Sequence, residues 1–247
     1  MSRAVLALLF VAFAAACGSG SEEKAASPPP SPEAAGQGRL SARPGEAGQA
    51  DGGETGLQRL GPARLYVPPG DGPRHLVVSL HGAGGTPDDA LDLFRPYADE
   101  AGLIVLAPKS SGPTWDVAQG GFGPDVTAID RLLGHVFAEH EVDQVAVAGF
   151  SDGASYALSL GLTNGDLFRS VIAFSPGFIA YAQATGAPRL FISHGTHDSV
   201  LPIGRTSRRG VPSLRAAGYR VRYREFDGDH EVPPRVAREA VDWLSAG

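Results

Sequence analysis

Two nearly unbroken apolar runs constrain this chain more than anything else in it: His75–His81 (HLVVSLH) and Gln144–Phe150 (QVAVAGF). A strand with one wet face alternates apolar and polar residues. A continuous apolar run therefore predicts a strand covered on both faces. Further β-rich runs fall at Arg64–Val67, Leu103–Ala107, Ser170–Phe174, Arg189–Ser193 and Tyr219–Phe226. Helical patterns separate them at Asp88–Ala101, Asp125–His140, Gly153–Gly161, Arg205–Ala217 and Pro234–Ser245. In Asp125–His140 the residues Val126, Ile129, Leu132, Leu133, Val136 and Phe137 recur at three- and four-residue spacing, one apolar stripe. Pro233 and Pro234 would sit in the first turn of the last helix, where a missing N–H costs nothing. Alternation of this kind predicts an α/β fold, a mostly parallel central sheet with helices on both faces.

Chemistry-bearing residues cluster where these runs end. Gly149-Phe150-Ser151-Asp152-Gly153 lies directly between a strand and a helix, the context a G-x-S-x-G nucleophile elbow requires. The turn is so sharp that both glycines must let neighbouring backbone pass. Ser151 is then exposed at a helix N-terminus, where N–H groups favour negative charge. The run His81-Gly82-Ala83-Gly84-Gly85 follows the first apolar strand and is the candidate second half of an oxyanion hole. One donor would be the N–H of Asp152 and the other that of Ala83. A phosphate-cradling loop would need Gly-Lys-Ser/Thr, which is absent. His81 reads as a structural hydrogen-bonder rather than a base. After the strand at Arg189–Ser193 comes His194-Gly195-Thr196-His197-Asp198, and after the last strand Asp229-His230-Glu231. His194, His197 and Asp198 are the residue types of a metal site, but no further His or Cys pair supports one, so no metal or other cofactor is expected. The acid reading of Asp198, as the orienting partner of an imidazole, is preferred. Asp227 and Asp229 are rival partners for His230, ranked lower because acids on the same turn seldom reach the far imidazole nitrogen.

With these residues in hand, the chain resembles the phospholipase/carboxylesterase and polyhydroxybutyrate-depolymerase-like branch of the α/β-hydrolases. The resemblance rests on His81-Gly82, Gly149–Gly153, His194–Asp198 with Val200 and Pro202, and His230, and spans roughly residues 60–245. The order Ser151, Asp198, His230, each after a separate strand, is the order of that superfamily. The resemblance implies a cofactor-free serine esterase of α/β-hydrolase fold, with Ser151, His230 and Asp198 as catalytic triad and a small-molecule ester as substrate; the alternatives are a polyester depolymerase or serine peptidase on the same fold, or an inactive binding lipoprotein. Only about 14 residues, Ser175–Pro188, are available between two strands where a lid would be inserted, so no cap domain is expected. Trp115, Phe122, Phe178, Ile179 and Tyr181 are candidate walls of a substrate pocket, or equally the edge of the core.

The formal net charge is -6, with the signs mixed along the chain, so no basic stripe exists for nucleic acid. Residues 1–17, MSRAVLALLFVAFAAAC, carry a basic start and an apolar run shorter than the ~20 residues that span a bilayer, as a signal peptide does. The chain's single cysteine, Cys17, ends that run, resembling the lipidated residue of a bacterial lipoprotein signal; Ala14 stands where such signals usually have Leu. Residues 18–58 are Gly, Ser, Ala, Pro and Glu with few large apolar side chains and read as a disordered tether, leaving 59–247 as the folded domain. The expected location is periplasmic or cell-surface, on a membrane anchored through Cys17. Cys17→Ser is expected to move the protein out of the membrane fraction, or to block signal processing, with specific activity unchanged. Fractionation and mass analysis of the mature N-terminus check this, and a mature chain starting at another residue would refute it.

Overall fold

The computed structural model describes residues 28–45, 52–180 and 183–247, so Cys17 and Tyr181 lie outside the described residues. Within the described residues eight strands form one sheet: β1 Gly56–Leu60, β2 Ala63–Val67, β3 Arg74–Leu80, β4 Leu103–Ala107, β5 Val142–Phe150, β6 Phe168–Phe174, β7 Arg189–Gly195 and β8 Val221–Phe226. Their order is β1-β2-β4-β3-β5-β6-β7-β8. β2 is antiparallel to β1 and β4, and every pairing from β4 to β8 is parallel. The expected mostly parallel sheet is therefore present. β1 was not anticipated: its half-polar GLQRL leaves Leu57 55% exposed on the sheet edge, where no second face is covered.

Among the described residues seven α-helices accompany the sheet: α1 Pro32–Gly36, α2 Pro87–Asp92, α3 Arg95–Ala101, α4 Pro124–Glu139, α5 Asp152–Thr163, α6 Ser207–Ala216 and α7 Pro234–Ser245. The continuous helix expected over Asp88–Ala101 is two helices. Pro96 can neither donate to the carbonyl four residues back nor clear it, so the chain breaks at Leu93–Phe94. Along β5, Val145 and Val147 pack with α4, α5 and α6, while Ala146 and Ala148 face the layer of α2, α3 and α7. That alternation buries both faces of the strand, as its apolar run demanded.

The tether expected over residues 18–58 is corrected for residues 28–45, which dock on the domain. Leu40 and Ala42 are 3% and 2% exposed. The Leu40 N–H donates to Asn164 Oδ1 at 2.9 Å, and the Ser41 and Ala42 N–H groups donate to Asp130 Oδ1 at 2.6 and 2.8 Å. The cause lies in α5, which is buried from Gly153 to Thr163 on every side. A helix apolar all round needs a cover on its outer face. The segment supplies part of that cover with small side chains that composition alone reads as linker.

Charge holds the segment down at one point. Arg39 and Arg43 both reach the Asp166 carboxylate, at 3.2 and 2.6 Å, and Thr185 donates to it at 2.9 Å. Burial pushes the Asp166 carboxyl up, but these hydrogen bonds outweigh it and hold its pKa at about 2, against an ordinary 3.8. A depressed carboxylate adds stability above its unfolded pKa, and that contribution drains away as pH falls from near 4 through 2. The Asp166 side chain is 41% exposed, so after solvent screening the cluster is worth only on the order of 1 kcal/mol. Asp166→Asn should therefore speed amide exchange at Leu40 and Ala42 several-fold at neutral pH. Wild type at pH 3 should lose part of the same protection once intrinsic rates are divided out. Equal protection in both proteins at both pH values would show that apolar packing alone holds the segment.

Candidate active site

The junction of β5 and α5 leaves no room for side chains. A Cβ on Gly149 would lie 2.3 Å from the Gly153 carbonyl oxygen, and one on Gly153 would lie 2.2 Å from the Leu80 oxygen at the end of β3. Between them Ser151 is held at φ 58°, ψ −119°, a backbone conformation that costs on the order of 1–3 kcal/mol for a residue with a side chain. Two backbone bonds keep it there: its N–H donates to Phe174 O at 2.9 Å, and its carbonyl accepts from Ser155 N at 3.0 Å. The strain turns the hydroxyl away from the sheet, where it meets His230 Nε2 at 2.9 Å.

His230 arrives on the loop after β8, and Asp198 on the loop after β7. The His230 Nδ1–H donates to Asp198 Oδ2 at 2.7 Å. The Asp198 carboxylate is fully buried, and its Oδ1 accepts the N–H groups of Val200 and Leu201 at 3.0 and 2.6 Å. Ser151, His230 and Asp198 are thus joined in one hydrogen-bonded line. The rival acids are engaged elsewhere. Asp227 pairs with the exposed His197 at 3.1 Å. Asp229 Oδ1 accepts from Ser199 N, Ser199 Oγ and His230 N at 2.7, 2.9 and 2.8 Å, bonds that hold its carboxyl below the ordinary range. Asp229 therefore ties the acid's loop to the imidazole's loop.

Gly195 makes that junction possible, a role the sequence reading missed. A Cβ there would lie 2.2 Å from the Asp229 oxygen, and the loops are stitched by Thr196 N to Phe226 O and His197 N to Gly228 O. His197 turns away from His194. Among the described residues no group of three His, Cys, Asp or Glu side chains is arranged as metal ligands. His194 is instead fully buried, with Nδ1 2.7 Å from Ser207 Oγ and Nε2 2.8 Å from Leu201 O and 3.1 Å from Asp198 Oδ2.

The loop after β3 closes the other side. A Cβ on Gly82 would lie 3.5 Å from Ser151 Cβ, so this backbone runs beside the hydroxyl. The Gly84 and Gly85 N–H groups bond to Pro113 O and Gly82 O, whereas that of Ala83 has no partner among the described residues. The Asp152 N–H, at the first turn of α5, has no acceptor within its helix. The Asp152 carboxylate accepts from Thr114 Oγ1 at 2.8 Å. His81 is structural, as expected: its Nδ1 lies 2.8 Å from Gly82 O, its Nε2 3.3 Å from Ser110 N, and burial lowers its pKa.

The aromatic pocket candidates divide. Trp115 packs within the core. It is fully buried, donates to His81 O at 2.8 Å and stacks on Tyr156 at 5.1 Å, which braces the end of β3. Phe122 packs edge-on to Tyr156 at 5.7 Å and lies against Gly38 of the docked segment. Phe178 and Ile179 do line a cavity of about 300 Å³, together with Leu158, Ile192, Val211 and Leu214; Ser151 and His230 are not among its walls. Their loop is pinned to α5, because Ser155 Oγ accepts from Gly177 N at 2.9 Å and Ser159 Oγ from Ala180 N at 2.9 Å.

Residues 116–246 match the model of the phospholipase/carboxylesterase family. Among solved structures the chain is similar to that of esterase PE8, at 22% identity and TM-score 0.63, over 78% of this chain and 99% of that one. It is also similar to TT1662 from Thermus thermophilus, at 24% identity and TM-score 0.59, over 78% and 98% of the two chains. A third likeness is to FphF, a fluorophosphonate-binding serine hydrolase of Staphylococcus aureus, at 16% identity and TM-score 0.58, over 74% and 91%.

The elbow's tightness is testable by one methyl group. Gly153→Ala must displace the end of β3, and should cost on the order of 3 kcal/mol or more of stability, read from denaturant unfolding. A variant as stable as wild type would mean that the β3–α5 approach is looser than described.

Proposed function

Because the chain belongs to the phospholipase/carboxylesterase family, and so is a carboxylic ester hydrolase of α/β-hydrolase fold, we propose that it cleaves short-chain acyl esters through an acyl-enzyme on Ser151. The observation that carries this reading is the line Ser151 Oγ–His230 Nε2–His230 Nδ1–Asp198 Oδ2, with bonds of 2.9 and 2.7 Å. A serine hydroxyl is a weak nucleophile until a base removes its proton as it attacks. His230 takes that proton on Nε2, and the buried Asp198 carboxylate stabilises the imidazolium that forms. As the carbonyl becomes tetrahedral, its oxygen gains negative charge beside the N–H groups of Ala83 and Asp152. Fixed donors at that point stabilise the transition state more than the ground state. Collapse breaks the bond to the alcohol, which leaves with the proton from His230. Water then attacks the acyl-enzyme with His230 again as base, and the acid departs from Ser151.

The short-chain preference rests on what surrounds Ser151. The Gly177–Ala180 backbone is bonded down onto α5, and Val200 beside the acid is 62% exposed. Little apolar wall is available for a long chain, and each methylene adds about 0.8 kcal/mol only where a wall receives it. An exported, Cys17-anchored enzyme acting at a membrane or cell surface completes the proposal.

Ser151→Ala should lower kcat on p-nitrophenyl acetate by about 10⁶-fold, leave unfolding unchanged and abolish labelling by a fluorophosphonate probe. Turnover like that of wild type would rule out Ser151 as nucleophile. Across a p-nitrophenyl series kcat/KM should peak at about two to four acyl carbons, with no jump at an oil–water interface. A steady climb to the longest chains would identify a lipase instead.

A further inference from the structure

Asp198 lies between two imidazoles, and only one of them belongs to the reaction line. His230 donates to Asp198 Oδ2 from Nδ1 at 2.7 Å, and His194 faces the same oxygen with Nε2 at 3.1 Å. The tautomer of His194 follows from its partners. Nε2 also lies 2.8 Å from the Leu201 carbonyl. A carbonyl and a carboxylate both accept, so Nε2 must carry the proton; it hydrogen-bonds the Leu201 carbonyl and stands 3.1 Å from Asp198 Oδ2. Nδ1 is then the acceptor, and the Ser207 hydroxyl at 2.7 Å donates to it. The side chains of His194 and Asp198 are both fully out of solvent, so no water competes for these bonds. Burial is the chief influence on His194 and lowers its pKa, against the Leu201 carbonyl and Asp198, which raise it. The ring therefore acts as a neutral donor.

We propose that His194 is a positioning residue of the site: its Nε2–H, oriented by Ser207, holds Asp198 Oδ2 toward His230 and draws charge from that oxygen. The inference rests on the reading of Ser151, His230 and Asp198 given above. A carboxylate oxygen that already faces one N–H at 3.1 Å is a weaker partner for the next. With the His194 donor in place, Asp198 orients His230 without binding its protonated form so strongly that the base would be blocked. Without it, Oδ2 concentrates its charge on His230 and favours the imidazolium.

Other charged groups around these rings are accounted for. Asp229, on the same loop as His230, interacts electrostatically with it but is bonded to Ser199 and to the His230 backbone. Glu225 on β8, which pairs in register with His194, is held by Arg208 of α6 at 2.7 Å. His197 and Asp227 pair with each other in solvent. Of these groups Glu225 interacts electrostatically with the His194 ring, and its bond to Arg208 is the larger influence on it.

The test reads the His230 ring directly by NMR titration of the intact protein, so it does not depend on turnover or on the nature of the substrate. His194→Met removes the donor at similar volume, and His194→Gln restores an N–H close to the position of Nε2. The His230 titration midpoint should rise by about half a unit to one unit in His194→Met and return toward wild type in His194→Gln. The acid limb of kcat/KM should move the same way in both. Equal midpoints in all three proteins, or equal losses of activity with no movement of the midpoint, would reduce His194 to a packing residue. If His194→Met does not fold, the nitrogen shifts of wild-type His194 still decide the matter. They must report a proton on Nε2 and none on Nδ1, and the opposite tautomer overturns the proposal. Failure of Ser151→Ala to abolish turnover would instead strike the parent reading, and leaves these ring measurements interpretable on their own.

Discussion

The site depends on one steric fact, the contact of three backbone segments at the mouth of the sheet. The Leu80 carbonyl at the end of β3 occupies the space a side chain on residue 153 would need, and the Gly153 carbonyl occupies that of residue 149. Bringing β3, β5 and α5 this close aligns the Gly82–Ala83 backbone with the Asp152 N–H on either side of Ser151. Strain at Ser151 is the cost of the arrangement, offset by bonds to Phe174 O and Ser155 N and by the buried strands on both sides. A looser turn would relieve the dihedral and lose the convergence of donors and hydroxyl, since both come from the same approach.

The same device recurs on the other side. Gly195 lets the end of β7 touch the Asp229 and Gly228 carbonyls, and Asp229 then bonds the Ser199 backbone and hydroxyl. Asp198 and His230 thus lie on two loops tied to each other, which matters to the proposed mechanism because a misplacement of about 1 Å can cost two orders of magnitude in rate. Asp198 accepts two backbone N–H groups on one oxygen and faces two imidazoles with the other. Its orientation is over-determined, as a buried carboxylate must be if it is to remain charged.

Much of this was legible in the residues, for reasons that can be named. Continuous apolar runs marked β3 and β5 because burial on both faces leaves no polar alternation. The ends of those strands located Ser151 and the Gly82–Ala83 loop, and strand order separated Asp198 from its neighbours. What could not be read was anything decided by a close approach between distant segments. Gly195 looks like any turn glycine until Asp229 O is seen against it. Trp115 could line a pocket or fill a core, and only the His81 carbonyl within reach of its indole N–H decides. The Leu40 segment reads as linker because its side chains are small; it is ordered by Asn164 and Asp130, more than 80 residues away. β1 escaped because an edge strand with one wet face carries no continuous apolar signal.

Among the described residues no cap covers the sheet, and the packing of α5 gives a reason. α5 must be buried on all sides to carry the elbow rigidly, and its outer surface is covered by residues 28–45 and by the loop after β6. Ser155 and Ser159 accept that loop's N–H groups while donating their own hydroxyls to Ser151 O and Ser155 O one turn back, at 3.1 and 2.7 Å. A loop bonded at both Gly177 and Ala180 cannot also swing over Ser151 without breaking these part-buried hydrogen bonds, each worth about 1 kcal/mol. The elements that make the helix a firm base for Ser151 are therefore those that would otherwise form a lid. Rigidity beneath the serine and a fixed loop beside it have one cause.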